Sequence, residues 1–294
     1  MAKPFRFGVQ KHAPFPDTTW AETAKRIEDA GFSTMVMPDH FGDQHAPIVG
    51  LTAAATATTE LRVGALVFGN DYKHPVVMAK EMASLDVVSN GRVEFGIGAG
   101  WMKTDYEQAG MSYDRPGLRI ERLTESIDIV EGLFADGPFD YDGEHYKISG
   151  YDGLPKPVQK RPPLLLGGGG KRMLTLAAQR ADIVGVTANL RSGEVGPDAI
   201  ADSMGAAHDQ KLEWVKAAAG DRFDDIEISS LTMAFMVTDD QTGSLAMVGE
   251  MFGQEPDIVA QSPAVLVGNI DQICETLQAR RERWGFSYPV FQAE

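Results

Sequence analysis

Along this chain the apolar positions alternate between short continuous runs and stripes at helical spacing, which is the signature of strands followed by amphipathic helices. Phe5–Gln10 reads as a first strand. Trp20, Ala24 and Ile27 then recur at helical spacing and stop at Gly31, a natural helix terminator. Thr34–Met37 predicts a second strand and Ile48–Thr58 an Ala-rich second helix. Leu61–Val67 predicts a third strand, followed by a helix over Pro75–Val88 that opens on a proline. Val93–Gly98 predicts a fourth strand, and Ile120, Leu123, Ile127, Val130 and Phe134 mark the helix after it.

The period breaks over residues 136–161, rich in Gly, Pro and aromatics, which reads as an excursion with a short hairpin around Asp142–Gly143. Regular alternation resumes with strands at Pro163–Leu166 and Ile183–Thr187 and a helix over Lys171–Gln179. A long polar helical segment spans roughly 198–220, and Ile226–Val237 predicts a long seventh strand. Ile270, Ile273, Leu277 and Trp284 mark a last helix before an eighth strand near Tyr288–Phe291. Repeated strand–helix units of this kind predict an α/β fold, a (β/α)₈ TIM barrel with insertions at the C-terminal face of the strands. The reading is of one domain over residues 1–294. The sequence stops at Glu294 without the usual closing helix, so either helices within 241–284 or a second subunit in a homodimer is expected to cover that end.

Composition narrows the function classes. A formal net charge of −15 with no basic run argues against nucleic acid and anionic lipid as partners. No apolar stretch approaches the roughly 20 residues of a membrane span, and the N-terminus MAKPFRFGVQ lacks the pattern of a secretory leader. One cysteine, Cys274, forms no internal disulfide and reads as a small buried hydrophobe in a helix. A cytoplasmic enzyme with a small-molecule substrate is the expectation.

Barrel ligands sit beyond the C-terminal ends of the strands, so the residues after each strand carry the candidate chemistry. After strand two come Pro38-Asp39-His40-Phe41, a carboxylate beside an imidazole that titrates near neutral pH; a helix cap with a surface histidine is the simpler reading of the same pair. After strand four come Gly96-Ile97-Gly98-Ala99-Gly100-Trp101, fit for a close backbone approach to an anion or simply for a tight turn. After strand five, Gly167-Gly168-Gly169-Gly170-Lys171-Arg172 opens a helix. Bare donors at a positive helix end with two cations beside them make a phosphate site by mechanism. His74, just before a helix, reads as structural, and His12, His45, His145 and His208 have no partner at metal-ligand spacing, so no metal is expected.

Taken in order, these segments resemble the luciferase-like monooxygenase family, and more closely its branch dependent on coenzyme F420. The matching pieces are Phe7–Val9, Met37–Phe41, Lys73-His74-Pro75, Leu85–Arg92, Gly96–Trp101, Leu166–Gly170, Ala181–Val184 and Val267-Gly268-Asn269. Glu213–Asp225 resembles a subgroup of F420-dependent oxidoreductases. The resemblance implies that Asp39 contacts the deazaflavin ring or ribityl chain and that the catalytic His40 lies near the reactive carbon as a proton donor or electrostatic partner. It implies a non-proline cis peptide at Leu66–Val67, just before Gly69 and against the middle ring. It further implies that Gly98, Ala99 and Gly100 line the ribityl or phosphate side and that Gly168, Gly169, Gly170, Lys171, Arg172 and Met173 hold the phosphate. Some sugar-phosphate dehydrogenases of this branch carry a catalytic glutamate where this chain has Trp101, which points to a more apolar substrate. The expected activity is hydride transfer between coenzyme F420 and a small organic substrate. An FMN-dependent two-component monooxygenase is the alternative within the family, and a non-catalytic flavin-binding barrel the alternative outside enzymes.

Overall fold

Parallel strand pairing between consecutive βα units organises the computed structural model, which describes residues 3–293. The first two residues and Glu294, and with them part of the expectations about a leader and the chain's close, lie outside the described residues. Contacts divide the chain into two compact units, one of residues 10–165 and one of residues up to Val9 together with Leu166–Ala293.

In chain order the first unit begins at the end of β1 (Gly8–Gln10) and continues through α1 (Trp20–Asp29) and β2 (Thr34–Met37). Thr19 and Glu22 form a reciprocal capping box at the start of α1, and Trp20, Thr23, Ala24 and Ile27 form its buried stripe. α2 (Pro47–Ala57) follows, then β3 (Arg62–Ala65) and β4 (Phe68–Gly69). The third predicted strand is thus two pieces, separated by a cis peptide bond at Leu66–Val67; Leu154–Pro155 is also cis. α3 (Pro75–Val88) starts with Pro75 in its first turn and His74 as its cap, the His74 ring accepting the Val76 N–H at 3.3 Å. β5 (Val93–Gly98) is buried at all six positions, as a parallel strand covered on both faces must be. α4 (Lys103–Gln108) and α5 (Pro116–Phe134) come next, and β6 (Phe139–Asp142) pairs antiparallel with β7 (Lys147–Tyr151) in the hairpin predicted for the excursion.

β8 (Leu164–Gly168) leads into the second unit, with α6 (Lys171–Arg180), β9 (Ile183–Val186), α7 (Pro197–Asp202) and α8 (Gly205–Ala219). The single helical segment expected at 198–220 is therefore two helices. β10 (Glu227–Thr232) and β11 (Ala234–Val237) divide the long seventh strand at Met233. β10 pairs in parallel with β9 and with the last strand, whereas β11 leaves that sheet. It pairs with β12 (Val265–Gly268), and α9 (Gln241–Phe252) and α10 (Pro256–Val259) pack beside this pair around Val248, Val259, Val265 and Val267. α11 (Ile270–Trp284) has a capping box from Asn269 and Gln272, ends at Gly285 with φ 77°, and hands over to β13 (Phe286–Gln292). α11 corrects one expectation. Its buried residues Ile273, Arg280 and Trp284 turn inward, and Cys274, one position past Ile273, is exposed.

The hydrogen-bonded strand order is β3-β2-β1-β13-β10-β9-β8-β5-β4, and β3 also pairs with β5. With β3 and β4 as two pieces of one strand, eight strands close on themselves, giving the (β/α)₈ barrel. Among the described residues no helix is long and apolar enough to cross a membrane.

Candidate active site

In the first unit the chemistry gathers at the ends of β2, β4 and β5. β2 is buried throughout, and Pro38, which has no N–H, ends the ladder and turns the chain out at Asp39 and His40. Asp39 turns back across β4, where its Oδ2 accepts the Gly69 N–H at 3.0 Å. Burial pushes the Asp39 carboxyl above the usual range, against the lowering effect of that hydrogen bond and of Lys73. Asp39 Oδ1 accepts no hydrogen bond from the described residues.

His40 does not use Asp39 as its carboxylate, contrary to the sequence expectation of an adjacent, oriented pair. Its Nδ1 lies 2.7 Å from Asp105 Oδ2 on α4. The same Asp105 Oδ2 accepts the Tyr72 hydroxyl at 3.0 Å, and Oδ1 accepts the Phe41 N–H at 3.2 Å. Asp105 is 5% exposed at its side chain and His40 24%, so the carboxylate is sealed in while the ring reaches solvent. α4 places this group because Asp105 and Tyr106 are its buried positions, and an acidic residue in the first turn suits the helix dipole. Burial, and then the Asp105 charge, pushes the Tyr72 phenol far up, so Tyr72 remains a neutral donor.

Aromatic rings wall this group. Trp101 meets the His40 ring edge-on with centroids 5.5 Å apart, Phe41 lies 4.5 Å from Tyr72, and Tyr72 lies 5.5 Å from Tyr106. The Trp101 carbonyl accepts the Tyr113 hydroxyl at 2.9 Å, which fixes the loop after β5. Below it, Tyr106 donates to Asp71 at 3.2 Å, and Arg122 clamps Asp71 with two bonds of 2.7 and 3.0 Å and Asp114 with one of 2.7 Å. Gly100 sits at φ +75°, and a Cβ there would stand 2.0 Å from the Tyr106 hydroxyl, so only glycine fits this turn. Gly69 and Gly98 are packing glycines as well, pressed by the Tyr72 ring and by Val67. Ala99 is half-buried beside them. Gln10 donates to the Leu66 carbonyl at 3.1 Å, holding the cis segment from the first strand. The expected residues Asp39, His40, Leu66, Val67, Gly69, Gly98, Ala99 and Gly100 therefore all belong to the first unit.

Gly168 to Met173 belong to the second unit. Gly170 caps α6 without a side-chain hydrogen bond, so the first-turn N–H groups of this ten-residue helix have no side-chain cap. Lys171 and Arg172 are exposed at that end, while Met173 is buried. Gly169 is glycine for a reason of its own: a Cβ would lie 2.3 Å from the Ala188 backbone. The loop from Thr187 that presses on it is tied down from within. The buried Lys211 ammonium donates to the Thr187 carbonyl at 2.8 Å and to Asp202 Oδ2 at 2.6 Å, and Asp202 also accepts the Asn189 N–H at 2.6 Å.

Sequence reasoning missed Asp105 and Tyr72. Both stand in polar stretches, KTDYEQ and GNDYK, where a buried acid or phenol leaves no periodic mark. Among the described residues no group of three His, Cys, Asp or Glu could hold a metal ion.

A (β/α)₈ barrel with a half-exposed imidazole held on a buried carboxylate at a strand end is an enzyme scaffold. The profile of the family described as luciferase-like monooxygenase matches residues 3–247, and the chain belongs to that family. It is 29% identical over 187 residues to the 5,10-methylenetetrahydromethanopterin reductase of Archaeoglobus fulgidus, covering 63% of this chain and 53% of that protein. It is 28% identical over 139 residues to an FMNH(2)-dependent dimethylsulfone monooxygenase of Pseudomonas fluorescens, covering 47% of this chain and 38% of that one. The chain thus spans about half the length of the A. fulgidus relative it matches. Among solved structures, the coenzyme F420 dependent tetrahydromethanopterin reductase from Methanopyrus kandleri has a TM-score of 0.78 at 19% identity, over 99% of this chain and 94% of that one. At that identity the likeness is one of fold.

Proposed function

We propose that this protein is a coenzyme F420-dependent oxidoreductase that passes a hydride between the deazaflavin and a small organic substrate. The observation that carries the reading is His40: a partly exposed imidazole with one nitrogen fixed on a buried carboxylate and the other left open, beside Asp39.

The residues present fit such a cofactor. Within residues 10–165, Asp39 Oδ1 is open to an N–H on a ring edge; within the other unit, the uncapped start of α6 with Lys171 and Arg172 suits a phosphate by itself. Two cations at that helix end also suit the longer acidic tail of F420 better than the short FMN phosphate. Lys103, on α4, is paired with Glu107 at 3.0 Å. When bound, the cofactor supplies the carbon that accepts or gives the hydride. The chain supplies the rest: Trp101, Phe41 and Tyr72 exclude water with apolar ring surface, and His40 Nε2 takes or returns the substrate proton. The aromatic wall favours a neutral, largely apolar substrate carrying a hydroxyl, carbonyl or imine at the reacting carbon.

His40→Ala is expected to keep cofactor binding and lose most of its turnover, at least the hundredfold typical of a general acid–base group. A screen of alcohols, aldehydes, enones and imines that follows the visible absorbance of the deazaflavin checks this. Unchanged turnover in His40→Ala removes His40 from the mechanism. Oxygen consumption with reduced FMN, and none of this activity with F420, moves the protein to the monooxygenase reading that the P. fluorescens relative represents.

A further inference from the structure

The ring of His40 has two nitrogens with different surroundings, and those surroundings decide which carries the proton. Nδ1 faces Asp105 Oδ2 at 2.7 Å, while Nε2 has no partner among the described residues. Asp105 receives two other donors, the Tyr72 hydroxyl at 3.0 Å and the Phe41 N–H at 3.2 Å. The backbone N–H can only donate, and the Tyr72 phenol, held neutral by burial and by the Asp105 charge, keeps its O–H to donate to Oδ2. A carboxyl group that accepts from two sides is poorly placed to spend a proton of its own on a third partner. The remaining contact is completed when the imidazole donates.

We infer that Asp105, clamped by Tyr72 and the Phe41 amide, is a positioning residue that holds neutral His40 as its Nδ1–H tautomer, so that Nε2 begins the cycle as a proton acceptor. An oriented carboxylate fixes an imidazole tautomer in the same way in acyl-transfer triads and behind metal-bound histidines. The consequence, which rests on the proposed function, concerns direction. In its neutral state the site is set for oxidation: Nε2 takes the substrate O–H or N–H proton, and the cofactor, when bound, would supply the acceptor for the hydride, so that a carbonyl or imine results. In the reducing direction His40 must first be charged, and it then returns that proton to the substrate oxygen or nitrogen, the hydride being what a bound cofactor would supply. The hydride-bearing carbon of the substrate therefore carries a hydroxyl or amine.

The test reads the tautomer and needs no cofactor. Protein labelled with nitrogen-15 in histidine is observed by NMR at alkaline pH, where free imidazole is neutral, and His40→Gln assigns the ring by the signals it removes. Wild type is expected to show His40 with a protonated Nδ1 and an unprotonated Nε2. Asp105→Asn, whose oxygen keeps the Phe41 N–H and whose amide nitrogen then faces Nδ1 and the Tyr72 oxygen as a donor, is expected to reverse the pattern. Tyr72→Phe is expected to keep it, because Asp105 still accepts from the ring. A protonated Nε2 in wild type, or an unchanged pattern in Asp105→Asn, overturns the assignment. The wild-type spectrum decides even where a variant fails to fold. Failure to bind F420 or FMN is a separate result that counts against the function and leaves the tautomer standing.

Discussion

Arg92 shows how much one side chain can organise here. From the turn after α3 its guanidinium donates to the Ala55 and Thr58 carbonyls at 2.6 and 3.1 Å, to the Leu61 carbonyl at 2.5 Å and to the Ser89 carbonyl at 2.7 Å. Those carbonyls close α2, lead into β3 and end α3, so one residue satisfies orphan acceptors at two helix ends. Burial pulls the Arg92 guanidinium below its ordinary value, and Glu28 opposes that shift. Arg92→Ala leaves these carbonyls without their charged donor and is expected to cost about 3 kcal/mol of stability, measurable by urea denaturation. A loss under about 1 kcal/mol would mean that water replaces the guanidinium. At this scale the sequence singled out His40 and Asp39 as candidates because they follow a legible strand. It concealed Asp105, because six polar residues after Met102 give no sign that the third of them turns inward.

Elements were legible where local pattern and tertiary burial agree. α3 and β5 fall on their predicted bounds because Pro75 starts the helix, the Asn90-Gly91 turn ends it, and Val93–Gly98 is continuously apolar or small save for Glu94. The split of β10 from β11 was hidden, because the apolar run continues through Met233 and what divides it is pairing with β12, some thirty residues on. The interruption between β3 and β4 was visible only through the family resemblance, which placed a cis bond at Leu66–Val67, where the structure has it. α8 contributes to the pH dependence of stability in its own right. Burial, with Lys211 adding to it, lowers the His208 imidazole to about 4, and Trp284 and Phe286 pack against the ring. The folded value lies below the ordinary 6.5, so the unfolded chain takes up the proton first as pH falls. The stability is complete above 6.5 and is lost between 6.5 and about 4. Wild type is expected to lose about 2 kcal/mol from this group between pH 6.5 and 5. His208→Gln should show a smaller fall in thermal midpoint over that interval; an identical fall would assign the acid sensitivity elsewhere.

For the molecule as a whole, a charge of −15 bears on the proposed role of the two cations at the start of α6. A polyanionic cofactor approaches such a surface against the long-range field and needs local donors to stay. Lys171→Ala with Arg172→Ala is expected to weaken binding of an anionic-tailed cofactor by about tenfold or more, or about 1.4 kcal/mol, and the loss should shrink as salt rises. The (β/α)₈ class was legible from alternation alone and the family from ordered strand-end segments. The choice between deazaflavin and flavin was not, because both share the tricyclic ring, ribityl chain and first phosphate. That choice is settled most directly by calorimetric titration of the purified protein with coenzyme F420 and, separately, with FMN. The account predicts tight binding of F420 and weak binding of FMN. Tight FMN binding with weak F420 binding, or binding of neither, would contradict it.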